Sequence, residues 1–170
     1  MLGVMGMVDI SNYFWVLLIS MIPVIELRGA IPVAIGLDIH PIAAYVICVA
    51  GNMLPVPFIL LFIKPVFKVM KKIPKINKII YYLESKAMNK SSKVERFSFW
   101  GLAIFVGIPL PGTGAWTGAL IASLLNMRLK HAILCTFIGV LAAGVVVTLI
   151  STGAFAGITF LRGIFTKANI

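Results

Sequence analysis

The chain has 170 residues, 61% of them hydrophobic and 12% charged, with a net charge of +10 and a mean hydropathy of +1.07. A soluble domain of this composition would leave too much apolar area facing water, so the numbers exclude one and point to an integral membrane protein. The positive balance is no nucleic-acid signature: ten of the fifteen Lys and Arg residues lie between Lys64 and Arg96, where the positive-inside rule reads them as a cytoplasmic loop.

In chain order, the first apolar run is Ile10 to Ile25. Asp9 precedes it and no basic region does, so it is expected to stay in the mature protein rather than act as a cleaved signal. It meets Glu26 and Arg28 where a spanning helix should be leaving the membrane. Only nine residues, Gly29 to Leu37, then separate Arg28 from Asp38, or about 14 Å of helix, roughly half a bilayer. Residues 10–37 are therefore predicted to form a re-entrant hairpin, a half-helix in and a half-helix out. Residues 41–63 are apolar enough for a transmembrane helix, although Asn52, Pro55 and Pro57 interrupt it. Residues 64–96 are expected to form a basic cytoplasmic linker whose apolar residues among lysines suit a helix lying in the interface, with an ordinary solvated loop as the alternative. Residues 97–127 carry no charge, but Pro109 to Gly114 (PLPGTG) break the middle, which predicts a second re-entrant hairpin. Residues 131–161 form a second transmembrane helix, continuing as one long helix or giving way to a tail after Gly153.

The two halves repeat. Phe14-Trp15, Pro23, Gly29-Ala30, Asp38-Ile39 and Cys48 recur as Phe99-Trp100, Pro109, Gly118-Ala119, Asn126-Met127 and Cys135, at spacings of 85 to 89 residues. With residues 64–96 in the cytoplasm, hairpin one opens outward and hairpin two inward. The expected fold is thus an all-α integral membrane protein of two inverted repeats, residues 1–63 and 97–170. Each repeat is a re-entrant helical hairpin plus a transmembrane helix. Multi-pass insertion in the cytoplasmic membrane follows.

Irregular backbone at membrane depth is tolerated only inside protein or against a water-filled cavity, so the tips should line a site. Opposed repeats with broken helices are the architecture of secondary transporters. Half-helix N-termini aimed at the tips favour an anion. Arg28, Gly112, Thr113, Gly114, Trp116 and Thr117 are the candidate substrate-binding residues. Pro23, Gly29, Pro32, Pro109, Pro111 and Gly118 shape the tips. Glu26 is the candidate for proton coupling, since desolvation favours the neutral acid. An internal Glu26–Arg28 salt bridge is the plainer reading; residues two apart do not face each other on a regular helix, so such a pair requires broken backbone. Asn52 reads as an interhelical hydrogen bond, with substrate contact as the alternative. Asp38 and His40 read as a solvated turn. Cys48 and Cys135 have neither CxxC spacing nor ligand neighbours, so no metal or cofactor is expected.

The segments ELRGAIP and PLPGTGAWTGA resemble the family of small multidrug export proteins over nearly the whole chain. That resemblance implies export, with Glu26, Arg28, Pro109, Pro111, Gly112, Thr113, Gly114, Trp116 and Gly118 as its motif residues. The layout is also similar to the DedA superfamily, which implies proton-coupled flipping of lipid carriers such as undecaprenyl phosphate; the second tip here has neither the acid nor the arginine expected of it. The leading expectation is a small, proton-coupled secondary transporter of an amphipathic anion. Export of cationic hydrophobic drugs and a non-transport membrane assembly role are the alternatives. No enzyme is expected, since the two histidines, His40 and His131, both fall at membrane edges. Expected partners are membrane lipids, protons and the amphipathic substrate, without nucleic acid. A subunit of this size offers few helices to enclose a site, which is compatible with a homodimer, although nothing in the sequence fixes the oligomeric state.

Overall fold

Seven helices account for all regular structure in the residues that the computed structural model describes, 10–70, 92–110, 112–125 and 127–168. They are α1 (Ile10–Met21), α2 (Glu26–Gly36), α3 (Pro41–Met53), α4 (Pro55–Met70), α5 (Ser92–Gly107), α6 (Ala115–Leu124) and α7 (Leu129–Ala168). There is no strand among them. Pro111, Asn126 and linker residues 71–91, on which several sequence expectations fall, lie outside the described residues.

Two stretches are long and apolar enough to cross a membrane, Pro41–Ile63 and Leu129–Thr159. The first is not one rod. Pro55 and Pro57 have no N–H, so the carbonyls of Gly51 and Met53 lose their helical donors. The helix stops at Met53, bends at Leu54 and restarts with Pro55 at the first position of α4, where proline is favoured. It then runs past the expected end at Ile63 to Met70. The second stretch settles the alternative left open at Gly153. α7 is a single helix of 40 residues, about 60 Å at 1.5 Å per residue.

The chain divides into two compact units, Met1–Gly51 with Gly144–Ile170, and Asn52–Ala143. Both cuts fall inside the long apolar stretches rather than in the basic linker. The first unit holds α1, α2, most of α3 and the C-terminal part of α7. α1 and α2 pack on one another through the turn at residues 22–25. α3 approaches α1 at Gly51, where an added Cβ would meet Ser20 Oγ and lie 2.7 Å from the Leu17 carbonyl oxygen. Gly144 of α7 lies against Tyr45 and Val49 of α3, and Gly36 of α2 lies against Phe155 of α7.

The second unit holds α4, α5, α6 and the N-terminal part of α7, with α6 packed on both α4 and α5. α7 approaches α5 at Gly139, where an added Cβ would be 2.6 Å from both the Ala103 carbonyl oxygen and Val106 Cβ. In both units the buried core is rich in small residues, including Ala30, Ala34, Ala44, Ala119, Ala132 and Ala143. Large apolar residues such as Ile42, Phe58, Phe62, Ile104, Leu149 and Ile158 are exposed. Small residues inside and large apolar ones outside are what helix packing in lipid requires, because backbones must approach closely and tails must be faced. The chain is a helical membrane protein.

Candidate functional site

The first tip lies in the first unit. α1 ends at Met21 and α2 opens at Glu26. Glu26 takes a left-handed backbone, φ 50°, which a non-glycine residue adopts at a cost of about 1–2 kcal/mol. That backbone does what a regular helix cannot: it turns Glu26 toward the residue two positions on. Arg28 Nη1 donates to Glu26 Oε2 at 2.5 Å, with the two side chains only 14% and 6% exposed respectively. The salt bridge anticipated from sequence is thus made, and by the irregular backbone it needed. Backbone bonds from Glu26 N to the Ile22 carbonyl and from Gly29 N to the Ile25 carbonyl, both 2.9 Å, hold the turn.

The other tip-shaping residues have defined places. Pro23 is exposed in the turn. A Cβ on Gly29 would strike Ile25 Cγ2, so the first turn of α2 closes over the tip only because glycine is there. Pro32 sits inside α2 and removes the helical donor for the Arg28 carbonyl. No side chain caps the N-terminus of α2.

The second tip lies in the second unit. α5 ends at Gly107, residues 108–110 and 112–114 are non-helical, and α6 starts at Ala115 behind Gly114, which is extended and provides no side-chain cap. Gly112 has φ +86°, a conformation open to glycine at no steric cost. Thr113 Oγ1 donates its proton to the Ile108 carbonyl at 2.7 Å and the Leu110 carbonyl at 2.9 Å. Its hydroxyl therefore clasps the broken end of α5. Gly118 is a close-approach position: a Cβ there would be 2.5 Å from Val106 Cγ2 of α5. Trp116 and Thr117 are half-buried on the first turn of α6, and Pro109 is half-buried in the break.

Asn52 departs from its expected role. Its side chain is fully buried, but neither Nδ2 nor Oδ1 has a hydrogen-bond partner among the described residues; the interhelical hydrogen bond read from the sequence is not made. Ser123 and Thr136 are likewise buried with unpartnered hydroxyls among those residues. Sequence reasoning passed over both, because a lone hydroxyl in an apolar run carries no spacing signal. Asp38 and His40 are exposed, as a solvated turn should be, and His40 Nδ1 accepts from the Ile42 N–H at 3.4 Å. Among the described residues no group of three or more His, Cys, Asp or Glu side chains is placed to hold a metal ion.

Residues 26–146 match the family described as "putative small multi-drug export protein". No curated protein and no solved structure matches the chain. The matching segment opens on Glu26, contains the Glu26–Arg28 pair and the second tip, and covers well over half of the sequence, so the chain belongs to this family of small export proteins of the membrane.

Proposed function

We propose that the protein is a proton-coupled secondary transporter of an amphipathic anion, and neither an enzyme nor an assembly factor. The observation that carries this reading is the secluded Glu26–Arg28 ion pair, held by a left-handed backbone at the start of a short helix. Backbone strain of this kind concentrates at functional sites, and ionisable pairs at membrane depth mark pathways. The pair supplies a mechanism. While Glu26 is ionised it occupies Arg28. When Glu26 takes a proton, its hold on the guanidinium weakens and Arg28 becomes available to the anionic headgroup. Proton and anion then bind cooperatively and travel together, and the empty carrier returns with the ion pair re-formed. Within the second unit, the N-terminus of α6 has no side-chain cap, and a helix end of that kind favours an anion in its own right.

Alternating access requires two equivalent halves, and several features support a structural repeat. The Ile39 N–H bonds the Ala34 carbonyl at 3.0 Å, and the Met127 N–H bonds the Ala122 carbonyl at 3.0 Å. Each bond closes the second helix of its hairpin in the same way. Gly51 meets Leu17 and Ser20 as Gly139 meets Ala103 and Val106. Cys48 and Cys135 are both fully buried. All these pairs keep the 85–89-residue spacing read from the sequence. On this reading both hairpins are re-entrant, the basic linker is cytoplasmic and the protein is multi-pass in the cytoplasmic membrane. A lipid-carrier phosphate is the substrate of matching chemistry, and the DedA-like comparison rests on this architecture.

A second reading follows from the family description: a cationic hydrophobic drug competes with Arg28 for Glu26, and export replaces uptake or flipping. Proteoliposomes separate the two. A pH gradient should drive a short-chain polyprenyl phosphate and not a cationic dye, and Glu26→Gln should abolish the gradient dependence. Dye movement alone would establish the second reading, and movement of neither would defeat both.

A further inference from the structure

Within the second unit, Leu60 and Leu61 of α4, Ser123 of α6, and Met127 and Leu129 line a pocket of about 190 Å³. An apolar cavity of about 150 Å³ takes a benzene-sized hydrocarbon, so this one admits a stretch of alkyl chain. Ser123 is the one polar side chain in the lining, it is 5% exposed, and its hydroxyl has no partner among the described residues. That runs against the habit of the chain. Ser20, Thr148, Thr152 and Thr159 each donate to a carbonyl one turn back, the usual resort of a helical hydroxyl. A buried donor without an acceptor is unfavourable, and an occupant that brings an oxygen improves the site. The charge around the pocket says which occupant. Met127 and Leu129 alternate with Arg128 and Lys130, both exposed, and no Asp or Glu follows Glu95 in the chain.

We infer that the pocket binds the chain of an anionic amphiphile. The alkyl portion lies along Leu60 and Leu61, Ser123 donates to the oxygen joining chain and head, and a phosphate or carboxylate head sits against Arg128 and Lys130. The site would load the transporter proposed above. Its role rests on that reading, but its occupancy does not.

The test is photocrosslinking of the purified full chain in neutral maltoside micelles, using a diazirine-bearing decyl phosphate and mapping adducts by mass spectrometry. Labelling should be saturable and centred on the pocket residues. Decyl phosphate should compete, while inorganic phosphate and decyltrimethylammonium should not. Leu60→Trp fills the pocket and should abolish the adducts. Ser123→Ala removes one hydrogen bond and should weaken competition about fivefold; it also removes an unpartnered donor, so this variant should fold as well as the parent. Labelling spread evenly over the apolar helix faces, or equal competition by the cationic amphiphile, overturns the site. So does an unchanged Ser123→Ala variant. Saturable labelling in a protein that fails the liposome assay would leave the pocket standing and remove the transport reading; transport without pocket labelling would do the reverse.

Discussion

Glu26 and Arg28 hold a buried ion pair, and the physics of such pairs separates stability from function. Removing one partner strands the other charge, which costs about 3–5 kcal/mol, whereas replacing both with neutral side chains of similar size is often tolerated. Arg28→Met alone should therefore unfold well before the parent in a thermal melt in detergent. Glu26→Gln with Arg28→Met should recover most of that loss and yet remain dead in the liposome assay. A double variant that still transported would mean that the pair is only structural. Asp38 offers the opposite kind of test. It is exposed with φ 59° at the closing turn of α2, a position where glycine is preferred. Asp38→Gly should raise stability by up to about 1 kcal/mol, read from the same melt, without changing transport.

At the scale of elements, the contacts of α3 with α1 and of α7 with α5 depend on glycine at the crossing point. Adding a methyl group at Gly51 or Gly139 drives it into a backbone carbonyl of the neighbouring helix, and overpacking of this kind costs about 1–3 kcal/mol. Gly101 on α5 has nothing within 4 Å of an added Cβ. There the gain in helix propensity, about 0.8–1 kcal/mol, stands alone. Gly51→Ala and Gly139→Ala should thus lower the detergent melting temperature by comparable amounts, and Gly101→Ala should raise it. Comparable losses at the first two positions are what equivalent repeats require. The α3–α4 break follows a similar logic. Two prolines set its place by removing donors, so it was visible in the sequence as an interruption, although not as two separate helices.

For the whole molecule, the proposed inverted arrangement makes a directional claim. Cys48 and Cys135 are fully buried and should stay silent toward an impermeant maleimide. Single cysteines placed at Asp38 and at Lys130 should label from opposite faces of the membrane in cells, Asp38 from outside and Lys130 from the cytoplasm. Labelling of both from one face would exclude inverted repeats and, with them, the proposed alternating mechanism.

The sequence by itself determined the class of molecule and the breaks in its helices. Composition decides whether a chain prefers lipid to water, and Gly, Pro and charge at fixed positions forbid regular helix locally whatever surrounds them. The apolar stretches over 41–63 and 131–161, the interruptions at 22–25 and around Pro109 to Gly114, and the pairing of Glu26 with Arg28 were all legible for that reason. Three matters needed the tertiary structure. The Glu26 backbone had to be seen to take its left-handed turn, because several irregular conformations would have ended α1. That Asn52 and Ser123 find no partner among the described residues depends on what neighbouring helices fail to present, and no residue type or spacing encodes an absence. The division at Gly51 and Ala143 arises because helices distant in sequence pack together, so a helix that looks like one element can belong half to each of two bodies.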